Sequence, residues 1–213
     1  MDLFPIFLKI AARPCIVIGA GHLAESKIES LRAAHAKVTV VAPEGTARIA
    51  ELAAGGEIEW HRREYAAGDL TGNFLVIAAT NVPAVNRAVH HEAAQNNILC
   101  NAVDDPPFCD FYFPSVVRRG DLQIAISTAG ASPALAQKIR KDINAQLPLD
   151  AGDWLTDLGN LRREVTQMEP LNEERKWLLH QLAQREVCGY DQCPSRVLAR
   201  EHALTNPLPE KKS

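Results

Sequence analysis

Two short runs hold residue types that do chemistry. Gly19-Ala20-Gly21-His22-Leu23-Ala24 is a GxGxxA string that follows the apolar run CIVIG and precedes a segment with helical spacing. In such a string the first glycine makes a tight turn and the second lets backbone amides approach a pyrophosphate. Ala24 then allows a helix to pack closely on the strand. The helix N-terminus adds partial positive charge for the phosphates. The implied chemistry is dinucleotide binding; a plain glycine turn is the other reading of so short a match. The second run is Asn101-Ala102-Val103-Asp104-Asp105-Pro106-Pro107, two acids and two prolines directly after an apolar stretch. A carboxylate at the C-terminal end of a strand can take a proton from a substrate, and open α/β sheets bind ligands at that edge. The alternative is a turn that Asp caps.

The next sheet edge bears on which dinucleotide would bind. A ribose-binding acid is expected about 20 residues past the first glycine, where the chain reads TVVAPEG. Glu44 is the acid there, just beyond the apolar run, so groups around Pro43 and Glu44 are the candidates to hold the ribose. No basic residue stands beside them for a 2′-phosphate, which favours NAD over NADP. AATN (78–81) closes another apolar run, and Thr80 is placed to hydrogen-bond at the same crevice or simply to end a strand.

The elements that must position these residues follow from periodicity. Apolar runs at 15–19, 37–43, 57–61, 73–80 and 98–103 alternate with helical spacing at 22–36, in TARIAELAAGG and at 82–97. Nearly all-apolar strands alternating with helices predict a parallel sheet covered on both faces, a Rossmann-like α/β domain. After Asp104 the pattern changes. FYFPSVV, RRGD and LQIAIS read as a hairpin, and Ser132-Pro133 opens a helix with a cap and an N1 proline. Helical segments follow near 153–168 and 172–187. The expected organisation is a nucleotide-binding domain at 1–111, a dimerisation segment at 112–147, and a helical C-terminal region with a flexible tail at 148–213.

Composition narrows the class. A net charge of −3 argues against a nucleic-acid partner, which needs a basic face. No run approaches the roughly 18 unbroken apolar residues of a membrane span, and the N-terminus lacks a signal-peptide core. Five cysteines at irregular spacing fit a reducing compartment, so a cytoplasmic location is expected. Cys188 and Cys193, with His180 upstream, lack metal-ligand spacing, and no metal site is expected. Cys100 reads as core, and His90 and His91 as solvent-facing residues of a surface helix.

Taken in order, PIFLKIAARPCIVIGAGHLAESKIESLRAAHAKVTVVAP, AATNVPAVN, ILCNAVDDP, FYFPSVVRRGDLQIAIST and GASPALAQKIR resemble the precorrin-2 dehydrogenase family. Its members include the N-terminal half of bifunctional siroheme synthases, and the resemblance covers roughly residues 3–147. It implies a homodimer that oxidises the tetrapyrrole precorrin-2 to sirohydrochlorin with NAD. Many members also insert Fe²⁺ into sirohydrochlorin to give siroheme. The family's N-x-V-D motif falls on Asn101 to Asp104, which implies a catalytic Asp104 and a substrate-binding Asn101. The substrate's carboxylates call for cationic groups, with Arg118, Arg119, Lys138, Arg140 and Lys141 as candidates; solvated turn and helix charges are the other, and for any one of them the better, reading. STAGASP offers Ser127 and Thr128 as a small-residue cradle at a helix start. The family's glycine loop usually reads G-G-G followed by an R-K pair; here it is Gly19-Ala20-Gly21 with Ser26-Lys27. No methyltransferase half follows residue 213, so a separate protein is expected to make precorrin-2. A non-enzymatic NAD(H)-sensing module is the alternative function.

Overall fold

The computed structural model describes residues 3–168 and 172–183, which form two compact units dividing between Phe113 and Pro114. In the first, β1 (Pro14–Ile18), β2 (Lys37–Val41), β3 (Glu59–His61), β4 (Leu75–Ala78) and β5 (Leu99–Ala102) make one sheet in the order β3-β2-β1-β4-β5. Every pairing is parallel, with Cys15 level with Val38 on one side and Leu75 on the other. The chain winds outward from β1 in both directions, so the strand order reverses between β1 and β4. That reversal opens a crevice at the strands' carboxyl ends.

The apolar runs give strands buried on both faces because alternate side chains point to opposite sides. Cys15 and Val17 pack with Ile28 and Leu31 of α1 (His22–Ala33) and with Ile49 and Leu52 of α2 (Ala47–Ala54). Ile16 and Ile18 pack on the other face with Val89 and Ala93 of α3 (Pro83–Gln95). Each fully buried Ile or Leu contributes about 1.5–3 kcal/mol, so this double-sided core fixes where the strand ends lie.

In the second unit, β6 (Ser115–Arg119) and β7 (Leu122–Ile126) form an antiparallel hairpin turned at Gly120, whose φ is +53°. β7 alternates half-buried Leu122, Ile124 and Ile126 with exposed neighbours, so one face is set against α4 (Pro133–Gln146) and α5 (Ala151–Met168). The Ser132 hydroxyl caps α4 by accepting from Leu135 N at 3.2 Å. Leu161 and Val165 of α5 pack with Leu178 and Leu182 of α6 (Glu173–Ala183).

Two expectations need correcting. The hairpin starts at Ser115, not within FYF: Pro114 has no N–H to donate, and Phe111 and Phe113 pack edge to face instead, 5.6 Å apart. His91 is exposed as expected, but His90 is half-buried, 5.1 Å from the Phe108 ring. Its position one residue after the buried Val89 turns it toward the loop that follows β5. Cys188, Cys193 and the end of the anticipated last helix lie outside the described residues.

Candidate functional site: a crevice at the reversal of strand order

The crevice between the ends of β1 and β4 has a volume of about 870 Å³. Gly19, Gly21, His22, Pro43, Glu44 and Thr80 all line it. Leu23 does not; its side chain is 48% exposed on the outside of α1.

The glycine loop fits a pyrophosphate on geometric grounds. Gly19 has φ +108°, and a Cβ there would lie 2.4 Å from Ala79 O, so β1 and the end of β4 approach as closely as only glycine allows. A Cβ on Gly21 would meet nothing within 4 Å. Gly21 is also the N-cap of α1 and has no side chain to cap it. The first-turn amides of α1 therefore keep donors to spare for an anion at the crevice rim. Among the described residues lining the crevice there is no Lys or Arg, whereas Glu44 and Glu64 are present. Such a lining suits ribose hydroxyls and repels a 2′-phosphate.

Three walls are held by side chains that motif reading missed. Asn86, 7% exposed, accepts from Thr80 N at 3.2 Å and donates to Thr80 O at 3.1 Å. It thereby fixes the turn after β4; its only sequence signal is its place in AATNVPAVN. Glu92 accepts from Gly68 N at 3.1 Å, from Leu70 N at 3.0 Å and from the Tyr65 hydroxyl, so the loop bearing Tyr65 is clamped to α3. Burial, together with the Glu92 carboxylate, pushes the Tyr65 phenol well above its ordinary pKa. The indole of Trp60 donates to Ala42 O at 3.0 Å and holds the end of β2.

Asp104 lies on the exposed turn after β5, on the same edge of the sheet. Its φ is +62°, a left-handed conformation that costs free energy in a non-glycine residue and concentrates at functional sites. The rest of the turn is tied down. Asp105 N donates to Ala102 O at 3.1 Å, and Phe108 N donates to Asp105 O at 2.9 Å. Asp110 Oδ2 accepts from Cys100 N at 2.9 Å, and Asp110 N donates to Cys100 O at 2.8 Å, closing the free edge of β5. The buried Asn101 donates its amide to Phe111 O at 2.8 Å and so holds the returning segment. Cys109 donates its thiol to Ala102 O at 3.1 Å; burial raises its pKa, which suits a structural thiol better than a metal ligand.

The remaining candidates lie in the second unit. Ser127 Oγ accepts from Ala129 N at 3.1 Å and Thr128 Oγ1 from Ser132 N at 3.3 Å, so both hydroxyls shape the turn into α4. Lys138 pairs with Asp142 at 2.6 Å, and Arg119 reaches Asn144. Among the described residues no three His, Cys, Asp or Glu side chains gather as a metal site, and no helix is long and apolar enough to cross a membrane.

This geometry agrees with what the chain is similar to. A family model described as NAD(P)-binding matches residues 6–115, and one for the central part of sirohaem biosynthesis proteins matches residues 119–146. The chain belongs to the NAD(P)-binding family that the first of these describes. Siroheme synthase 3 of Aeromonas hydrophila is 41% identical over 209 residues, covering 98% of this chain and 43% of that protein. Siroheme synthase 1 of Yersinia enterocolitica is 40% identical over 178 residues, covering 83% of this chain and 38% of that protein. The chain thus spans less than half the length of these curated relatives. The structure of SirC, precorrin-2 dehydrogenase, matches with a TM-score of 0.73 at 26% identity, covering 96% of this chain and 98% of that one. Membership of the NAD(P)-binding family and the parallel-sheet fold therefore rest on sequence and structure together.

Proposed function

We propose that the chain is an NAD-dependent dehydrogenase that oxidises precorrin-2 to sirohydrochlorin in the cytoplasm. The observation that carries this reading is the placement of a left-handed Asp104 on the same sheet edge as a glycine-floored dinucleotide crevice. The reaction removes two hydrogens from the macrocycle. Bound NAD supplies the acceptor for one of them, as hydride. The Asp104 carboxylate takes the other as a proton. Gly19 and Gly21 hold the pyrophosphate on the start of α1, and Pro43 and Glu44 hold the ribose. Thr80, fixed by Asn86, floors the crevice, while the Tyr65 loop limits access of water. Ser127, Thr128 and Lys138 are the proposed contacts for the substrate's carboxylates.

The test is NADH formation when precorrin-2 is added to protein and NAD. Asp104→Ala should lower kcat by roughly 10²–10⁴, the usual contribution of a positioned base, with NAD affinity unchanged. Full turnover by Asp104→Ala would remove the catalytic assignment, and absence of turnover by the wild type would remove the dehydrogenase reading. Adding Fe²⁺ to the sirohydrochlorin formed reads the second activity that the resemblance implies, with Fe²⁺ as substrate.

The active form we propose is a homodimer. From Pro114 to Asp150 only Val117 and Ala136 are buried within the chain. A two-stranded sheet with so little cover is marginal in water, and a second copy supplies the missing surface.

A further inference from the structure

Lys27 lies one turn into α1, three residues after the buried Ala24, with its stem half-buried at the margin of the core. Its ammonium sits 3.9 Å from the centre of the Phe113 ring. It forms no ion pair with any described residue, whereas Lys138 and Lys176 do. A half-buried ammonium without a counter-ion is costly, and only part of that cost is returned by the ring face. Burial holds the Lys27 pKa below its ordinary value, and the charge that counteracts this is the Asp104 carboxylate. The cation therefore belongs electrostatically to the turn that bears the proposed base, yet keeps its hydrogen-bond donors unspent.

We propose that Lys27, backed by the Phe113 ring, anchors one peripheral carboxylate of the tetrapyrrole beside Asp104. This inference rests on the dehydrogenase reading and adds a substrate contact to it. An ammonium with three free donors meets a carboxylate at the pocket margin, and the edge of Phe113 packs against the macrocycle. The contact is made equally to the substrate and to the transition state, so it contributes to affinity and not to the chemical step. The partial desolvation that makes Lys27 costly in the free protein makes its pairing with an anion stronger than a surface contact would be.

The experiment is steady-state kinetics of wild type, Lys27→Met and Lys27→Arg with precorrin-2 and NAD at several salt concentrations, alongside NAD binding by each protein. Lys27→Met should raise KM for precorrin-2 about tenfold, in line with loss of a charge-assisted contact, with kcat within about twofold. Its KM should also lose most of the salt dependence seen in the wild type. Lys27→Arg should restore KM to within about threefold. Unchanged NAD affinity in both variants establishes that the fold is intact, and Met preserves the apolar stem, so the variant removes charge and little else. A wild-type KM in Lys27→Met, an unchanged salt dependence, or failure of Lys27→Arg to rescue would each overturn the anchor while leaving the dehydrogenase reading in place. Absence of wild-type turnover would overturn both.

Discussion

Residues 3–113 and residues 114–183 solve the same folding problem with very different means. In the first unit every residue of β4 is buried, helices cover both faces of the sheet, and even the loops are pinned by side chains such as Glu92 and Asn101. In the second, a two-stranded hairpin and α4 share only Val117 and Ala136 as buried side chains, and the α5–α6 pair has its own small cluster around Leu161. The first unit closes a double-sided core within a single chain, although Phe4, Ile6 and Phe7 ahead of β1 stay exposed. The second exposes half-buried apolar faces that a single chain leaves uncovered. A dinucleotide site needs walls fixed to within tenths of an ångström, and only the first unit has the packing to provide them.

The comparison breaks most sharply at the two loop glycines. Gly19→Ala forces a Cβ to 2.4 Å from Ala79 O at a φ of +108°. It should cost roughly 3 kcal/mol or more and lower the melting temperature of the whole first unit. Gly21→Ala meets open space and should change stability by less than about 1 kcal/mol, yet weaken NAD binding tenfold or more by crowding the rim. Thermal melts and NAD titrations read both. Equal destabilisation by the two variants would mean that the rigidity assigned to this loop is misplaced.

Dilution sharpens the contrast. If a second copy completes the hairpin unit, amide exchange in β6 and β7 should quicken several-fold as protein is diluted through the dimer dissociation constant, while β1 and β4 keep their protection. Sedimentation over the same concentrations gives the mass. A monomer at all concentrations, with β6 and β7 fully protected, would show the second unit to be as self-sufficient as the first.

Much of the first unit was legible because its code is local. Five apolar runs separated by helical spacing mark the strands, and GxGxxA after the first run marks the phosphate loop. What escaped is tertiary. Glu92 clamps the loop of Tyr65 across two elements, and Asn86 holds Thr80 through a side-chain pairing that no spacing announces. The Asp104 carboxylate acts on the Lys27 ammonium across elements that lie far apart in sequence, α1 and the turn after β5. Asn101, for which the resemblance implies a substrate contact, also has a structural task that the motif does not announce, since its amide donates to Phe111 O. Helical spacing alone puts His90 at the surface, and a contact with Phe108 decides its burial.

The smallest expected effect concerns the two thiols inside the first unit. Burial raises Cys15 from an ordinary 9.0 to about 11 and Cys100 to about 12, the latter helped by Asp110. Both side chains are fully enclosed. In the unfolded chain these thiols ionise near pH 9, whereas in the fold they stay protonated. Above that pH the unfolded state therefore binds fewer protons, and the stability they contribute, complete below pH 9, is lost as pH rises toward 11–12. The slope is about 1.4 kcal/mol per pH unit for each thiol at full effect. Between pH 9 and 10 only part of it develops, before the Tyr65 phenol adds to it. Lys27 opposes the trend, because a lysine pKa below its unfolded value makes stability rise with pH over the interval between the two. Urea unfolding at pH 8, 9 and 10, comparing wild type with Cys15→Ala and Cys100→Ala, isolates the thiols. Each variant should start less stable from the lost packing and then lose less stability per pH unit than the wild type. Parallel pH profiles would mean that water reaches these sulfurs, and that the core of the first unit is looser than its contrast with the second unit requires.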